Sequence, residues 1–200
     1  MRSVKQVVRA GPAIGLAVIV ALSAAGRWPA RAQDEAPPKS PDVIFVPTPP
    51  EVVAAMLKLA DLHPGDVLYD LGCGDGRIVV TAAKEYGVKA VGFDVDPKRI
   101  RESLENVRKN GVGDRVTITQ ADIFKTDLRA ADVVTLYLLP RLNVQLMPQL
   151  ARLKPGSRIV SHSFDMKGAK PNKVVHVKLR TGSERVIYLW VVPWEKESGE

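Results

Sequence analysis

Apolar positions along this chain follow two rhythms. Val52, Val53, Met56, Leu57 and Ala60 fall at the spacing of one buried helix face. Ahead of them, Thr48-Pro49-Pro50-Glu51 reads as a helix start. Thr48 is the expected cap, Pro49 the first helical residue and Glu51 the partner that completes a capping box. The end is expected near Leu62-His63-Pro64-Gly65. Short apolar runs then alternate with helical patterns. Strands are predicted at 67–71, 89–93, 116–119, 133–139 and 158–164, and helices at 77–86, from Asp96-Pro97 to Asn110-Gly111, and at 142–153. Ile78, Ala82 and Ala83 mark the inner side of one helix, and Ile100, Leu104 and Val107 that of the next. Strands alternating with helices imply a parallel sheet covered on both faces, and strands that are nearly continuous apolar runs fit that burial.

The last part of the chain breaks the pattern. Runs at 173–180 and 184–192, joined by Thr181-Gly182-Ser183, predict a hairpin, with Trp190 and Trp194 covering its last strand or its edge. Residues 165–172 are too few for an ordinary parallel crossover, so the helix before the hairpin is reduced or absent. The expected fold is therefore α/β: a doubly wound, mostly parallel sheet in three αβα layers, ending in an antiparallel hairpin.

The N-terminal stretch has another character. Arg2, Lys5 and Arg9 precede an apolar run over 12–25, and Ala30-Arg31-Ala32 resembles a cleavage site. Residues 1–32 thus read as a signal peptide cleaved after Ala32, for export to a periplasmic or external space, or as an uncleaved membrane anchor. A membrane is a partner only in the second case. Residues 33–47, rich in proline, read as a linker, 48–194 as the domain, and 195–200 as a polar tail. This division changes the meaning of the net charge of +7, because the first 32 residues hold five of the 29 basic residues and none of the 22 acidic ones. The remainder carries only about +2, which argues against nucleic acid as the primary partner. The single Cys73 cannot form an internal disulfide.

The densest chemical signal is Asp70-Leu71-Gly72-Cys73-Gly74-Asp75-Gly76, at the first strand-to-helix turn. Its glycines permit a sharp bend and close approach of a ligand, at the place where open α/β sheets bind one. A dinucleotide-binding turn needs a third glycine at position 77, which is Arg77. Asp70 also suits an ammonium or sulfonium better than a pyrophosphate. Asp94 ends the second strand 18 residues after Gly76, near the offset at which an acid meets ribose hydroxyls. Asp122, after the third strand, is placed to accept from an adenine amino group, although it also suits the start of a turn. Asp96, before Pro97, is expected only to cap a helix.

Asp70–Gly76 resembles motif I of class I S-adenosylmethionine (SAM)-dependent methyltransferases, and Asp94 and Asp122 match the acids after that family's second and third strands. The terminal hairpin resembles its antiparallel last strand, and the likeness runs from Thr48 to Val192. Within the class, Thr48–Val53 (TPPEVV) and Tyr137-Leu138-Leu139-Pro140 are most similar to the small lysine-methyltransferase-like group, related to non-SET protein lysine methyltransferases. The Asn/Asp-Pro-Pro-Tyr tetrad of enzymes that methylate amide or base nitrogens is absent. The resemblance implies SAM as cofactor and cofactor-binding roles for Thr48, Asp70, Leu71, Gly72, Cys73, Gly74, Gly76, Asp94, Val95, Asp122 and Ile123.

The acceptor implied is a nucleophile such as a protein lysine amine. Deprotonating a lysine at neutral pH costs roughly 4–5 kcal/mol, which burial beside a cationic cofactor would lower. Tyr137, at the end of the fourth strand, is the candidate for shaping the acceptor pocket. His162, at the end of the fifth, is the candidate base near its ordinary pKa, with a structural histidine as the other reading. His176 shows no evident partner, and no cluster of metal-ligand spacing calls for a metal. Two other functions stay open: an NAD-dependent oxidoreductase, which Arg77 disfavours, and a SAM-binding module without catalysis.

Overall fold

A computed structural model describes residues 43–197. The leader 1–32, its cleavage after Ala32 and most of the linker lie outside the described residues. Helix α1 (Pro50–Leu59) leads to β1 (Val67–Leu71), α2 (Arg77–Tyr86), β2 (Lys89–Asp94), α3 (Pro97–Asn110) and β3 (Val116–Gln120). There follow β4 (Val133–Leu136), α4 (Pro140–Leu150), β5 (Arg158–His162), β6 (Lys173–Lys178) and β7 (Glu184–Val191). The strands form one seven-stranded sheet in the order β3-β2-β1-β4-β5-β7-β6. β1 to β5 are parallel, and β7 runs antiparallel to both β5 and β6. From β1 the chain winds outward to β3 and then returns to β4, so the strand order reverses between β1 and β4. A ligand crevice forms beyond the carboxyl ends of the strands at such a point.

Alternation along the central strands divides the core. Leu68, Val133 and Val160 pack with α1, α2 and Val107 of α3 on one face, whereas Leu71, Val134, Leu136 and Ile159 pack with α4 on the other. No helix lies in 163–172, as the short connection requires. That second face is closed instead by buried Met166 and Ala169 and by Trp190. Trp190 is therefore core, not edge cover: it is fully buried and its Nε1 donates to the Ala169 carbonyl at 2.8 Å. Trp194 is partly buried on the same cluster.

Several helix boundaries differ from expectation, each for a local reason. In α1, Pro49 takes the cap position and Pro50 the first turn, and no side chain caps the helix. Thr48, the expected cap, is engaged elsewhere. The helix also ends earlier, because Asp61 turns into the left-handed region (φ 50°) and Arg158 Nη1 captures the carbonyls of Ala60 (3.1 Å) and Asp61 (2.6 Å). Helix α4 begins at Pro140 rather than 142, since proline suits the first helical position, and this cuts β4 short at Leu136. In α3, Asp96 caps as expected, accepting from the Lys98 amide at 2.7 Å. Its inner stripe is turned: Ser103 is fully buried and Leu104 is 49% exposed. The cause is Gly76, at whose Cβ position Ser103 Cβ stands 2.9 Å away. Only a small residue fits there, so Ser103 faces inward and Leu104 outward. His176 has a partner after all, Glu184 across the β6–β7 hairpin.

Candidate active site

The bend after β1 is held by its own backbone. The amides of Gly72 and Cys73 both donate to the Phe93 carbonyl (2.8 and 2.9 Å), and that of Gly76 to the Cys73 carbonyl (2.9 Å). The Gly74 amide donates to Asp94 Oδ2 at 2.9 Å. Four amides of the turn are thus already used. They do not form the open nest of donors that a pyrophosphate requires, which agrees with the reading of the Arg77 position. Gly74 (φ +58°) has no room for a side chain, as a Cβ would stand 2.1 Å from the Phe45 ring. Cys73 is buried against Gly92, and burial pushes its thiol far above the ordinary range. It fills space and is no nucleophile.

A cavity of about 270 Å³ opens beside this turn, lined by Asp70, Gly72, Cys73, Asp94, Val95, Asp122 and Ile123, with Thr48 and Tyr137 also on its wall. The fold therefore gathers most of the predicted residues into one place. Leu71 is buried in the core beneath, and the Gly74 and Gly76 positions shape the bend from behind. Asp94 accepts the Gly74 amide on one oxygen and the Asp96 amide on the other (both 2.9 Å), so it also fixes the entry to α3. An ionised carboxylate still has lone pairs to spare on both oxygens. Burial raises its pKa. Asp122 Oδ1 accepts from the Phe124 amide at 3.1 Å, so it starts a turn and lines the cavity at once.

Asp70 is 3% exposed, and Thr135 Oγ1 donates to it at 2.8 Å. Burial, with help from Asp94 and Asp75, raises its pKa to about 7 despite that bond. Asp75 behaves differently. Burial pushes it up, but the Arg77 guanidinium outweighs this and holds its pKa below the ordinary value. Arg77 Nη1 in turn donates to the Thr48 carbonyl at 2.8 Å. Arg77 thus clips the start of α1 to the glycine turn, a role its mere position in the sequence did not reveal.

The opposite wall is aromatic. Tyr137 lies beside Phe164, with ring centroids 6.2 Å apart at 19°, and both line the cavity with Leu139. His162 is behind them. It does not line the cavity, is fully buried, and packs against Tyr137 at 3.9 Å and 32°. Its Nδ1 is 3.3 Å from Thr48 Oγ1, and burial, then Arg185, lowers its pKa to about 4. The expectation of a base near its ordinary pKa is corrected on both counts, since burial lowers the pKa of His162 well below that value and the ring stands behind the tyrosine, off the cavity wall. Sequence reasoning also missed Phe45, Arg99 and Phe164. Residues 43–46 line the cavity, so the last part of 33–47 is wall rather than spacer. Nothing in its proline-rich composition signalled that. Residue 196 pairs with Ala169, and Glu195 with Lys170 at 2.8 Å, so the tail begins attached to the domain.

Comparison with known proteins gives this geometry its context. The sequence profile of the ANTKMT methyltransferase domain matches residues 70–173. A protein-lysine N-methyltransferase from Saccharolobus islandicus is 46% identical over 155 residues, covering 76% of this chain and 95% of that protein. Among solved structures, an RNA methyltransferase from Salinibacter ruber in complex with S-adenosyl-L-homocysteine is 46% identical, with a TM-score of 0.69. The match covers 74% of this chain and 94% of that one. A ribosomal protein L11 methyltransferase from Enterobacter sp. (strain 638) is 38% identical over 74 residues, 35% of this chain and 25% of that protein.

Proposed function

This chain belongs to the ANTKMT methyltransferase domain family and is a class I SAM-dependent methyltransferase; we propose that its acceptor is the ε-amine of a protein lysine. One observation carries this reading: the cavity joins an acidic end, with Asp70, Asp94 and Asp122, to an aromatic end formed by Tyr137 and Phe164. The acidic end fits the cofactor by the chemistry of its groups. Asp70 and Asp94 take their hydrogen bonds from a hydroxyl and from backbone amides, not from a cation. Their charge is left to meet a positive ligand.

In this reading the free lone pairs of Asp94 receive the ribose hydroxyls, and Asp122 receives the adenine amino group. Asp70, Gly72 and Cys73 form the floor under the amino-acid portion, and Val95 and Ile123 flank the base. Thr48 lines the cavity where α1 begins. When bound, SAM supplies an electrophilic methyl on a positively charged sulfur. Tyr137 and Phe164 give the aliphatic stem of a lysine an apolar slot, and their ring faces suit an alkylated amine. No side chain need take the proton at the moment of transfer. Burial beside a sulfonium disfavours a second positive charge, so the amine enters neutral. The chain's main contribution is then alignment of the two reactants in a dry site. The name of the Saccharolobus relative supports a lysine acceptor.

The Salinibacter relative favours a second reading, with RNA as acceptor. The near-neutral balance of the chain after its first 32 residues speaks against it. Incubating the full chain with labelled SAM and cell extract decides between them. Label on lysine, resistant to nuclease and located by mass spectrometry, is the expected outcome, and label lost on nuclease treatment would overturn the lysine reading. We also propose that residues 1–32 are an export signal or anchor. N-terminal sequencing of the protein from fractionated cells tests that, a start at Gln33 marking export with cleavage.

A further inference from the structure

Residues 43–46 are the least expected part of the cavity wall, and Phe45 is the member that meets the glycine turn. Its ring edge fills the space over Gly74, where a Cβ would meet Cε2 at 2.1 Å and Cδ2 at 2.6 Å. The guanidinium carbon of Arg99 lies over the ring face, 4.5 Å from its centroid. Arg99 is fixed in turn by a two-pronged pair with Glu102, at 2.7 Å from Nη1 and 2.9 Å from Nη2. Its side chain is only 13% exposed, so the cation is a rigid roof over the ring rather than a mobile surface group.

The chain on the other side of this contact is just as constrained. Pro47 and Pro49 restrict the backbone. Thr48 between them is held through its carbonyl by Arg77 and through its hydroxyl by His162. Phe45 is 36% exposed, against 90% for Ile44 and 56% for Val46. Phe45 therefore fastens the segment to the glycine turn, while Val43 holds its other end, partly buried against the core on the α4 face. Phe45, Arg99, Asp94 and Asp96 line the same cavity, and Asp94 is the residue assigned above to the ribose hydroxyls.

We propose that Phe45 is a positioning residue for the cofactor: held by Gly74 at its edge and Arg99 on its face, it makes residues 43–46 a strap that retains the nucleoside and must lift before the demethylated product leaves. The inference rests on the assignment of the acid-lined cavity to SAM. Three things follow from the geometry. Loss of the ring speeds departure of the ligand more than it slows arrival. It acts on SAM and its product and leaves the acceptor untouched, because Tyr137 and Phe164 stand on a different wall. Arg99, which acts only through the ring, has the smaller effect.

The test is stopped-flow release of S-adenosylhomocysteine from the full chain, with steady-state kinetics alongside. Phe45→Ala is expected to raise the release rate by about ten-fold, as removal of one packed aromatic contact would. The KM for SAM should rise with it and the acceptor KM stay within about two-fold. Phe45→Tyr keeps the ring and should restore slow release, while Arg99→Met should raise release by about three-fold. A merely structural role would lower thermal stability and perturb both KM values together. Release from Phe45→Ala within two-fold of the unaltered chain overturns the strap. If that happens while Asp94→Asn still weakens binding, the strap alone fails and the cofactor site stands. If the unaltered chain binds no S-adenosylhomocysteine, the site assignment fails and the strap falls with it.

Discussion

The two ends of the cavity are built by different means. At the acidic end, the bend is held mainly by backbone groups, Gly72 and Cys73 on Phe93, Gly74 on Asp94, and Asp94 again on Asp96, with Asp70 alone taking a distant side chain, Thr135. At the aromatic end, Thr48, Tyr137, His162 and Phe164 come from distant parts of the chain, the two partners of the Thr48–His162 contact being 114 positions apart. There the packing leaves polar atoms over. Among the described residues, His162 Nε2 and Asn143 Oδ1 are buried without a hydrogen-bond partner. A backbone-built end tolerates little change, whereas an end assembled from side chains can be altered one residue at a time without disturbing the bend.

The largest effect expected from this contrast is at Asp94. Asp94→Ala removes two charge-assisted bonds that hold Gly74 and the start of α3, together with the proposed ribose contacts. Its affinity for SAM should fall by roughly 100-fold, as the loss of such bonds implies. Calorimetric titration measures it. The complementary change is Tyr137→Ala, expected to lower kcat by about thirty-fold through misplaced acceptor with SAM affinity within about two-fold. If Tyr137→Ala weakens SAM as strongly as Asp94→Ala does, the two ends are not separable and the comparison fails.

The same contrast explains what could be read from the sequence. The bend, Asp70, Asp94 and Asp122 announce themselves by spacing, because the strand-to-helix punctuation fixes where they must lie, even though the partner of Asp70, Thr135, is 65 positions away. The sheet was legible for the same reason, down to the hairpin and the missing helix before it. What escaped was decided by contacts across the fold. Thr48 looks like a cap until Pro49 and Pro50 take over the start of α1 and free its hydroxyl for His162. Leu104 fits the helical stripe until Gly76 demands a small neighbour and turns Ser103 inward. Phe45 sits in a proline-rich segment, and only its tertiary position over Gly74 gives it meaning. His162 looks like a base until its burial is known.

Asp70 sharpens the acidic side by its pH response. Its folded pKa of about 7 lies above the ordinary carboxylate value. Between about pH 4 and 7 the folded chain keeps a proton that the unfolded chain has lost, so in that window this group lowers stability as pH rises. A cation bound beside Asp70 favours its ionised form, and binding below pH 7 releases the proton. The dissociation constant for SAM should therefore drop by up to about ten-fold from pH 6 to pH 8 and then level off. Asp70→Asn should remove that slope. A slope unchanged in the variant would mean that Asp70 does not sense the ligand.

The smallest effect belongs to the aromatic side and separates support from chemistry. His162 has a folded pKa of about 4, below its unfolded value, so the stability that comes from keeping it neutral is present above about pH 6.5 and is lost as pH falls from there towards 4. His162→Phe preserves a ring against Tyr137 but has nothing to protonate. Its urea midpoint should stay flatter from pH 6.5 to pH 5 than that of the unaltered chain. Thr48→Val, which removes the hydroxyl facing Nδ1, should cost about 1 kcal/mol of stability. Neither change should move an inflection in the kcat profile near pH 6.5, because a neutral ring behind Tyr137 takes no proton from the acceptor. Were His162→Phe to abolish turnover while folding as stably as the parent, the ring would have to reach the acceptor itself, and the aromatic wall would be catalytic machinery rather than a mould for the substrate.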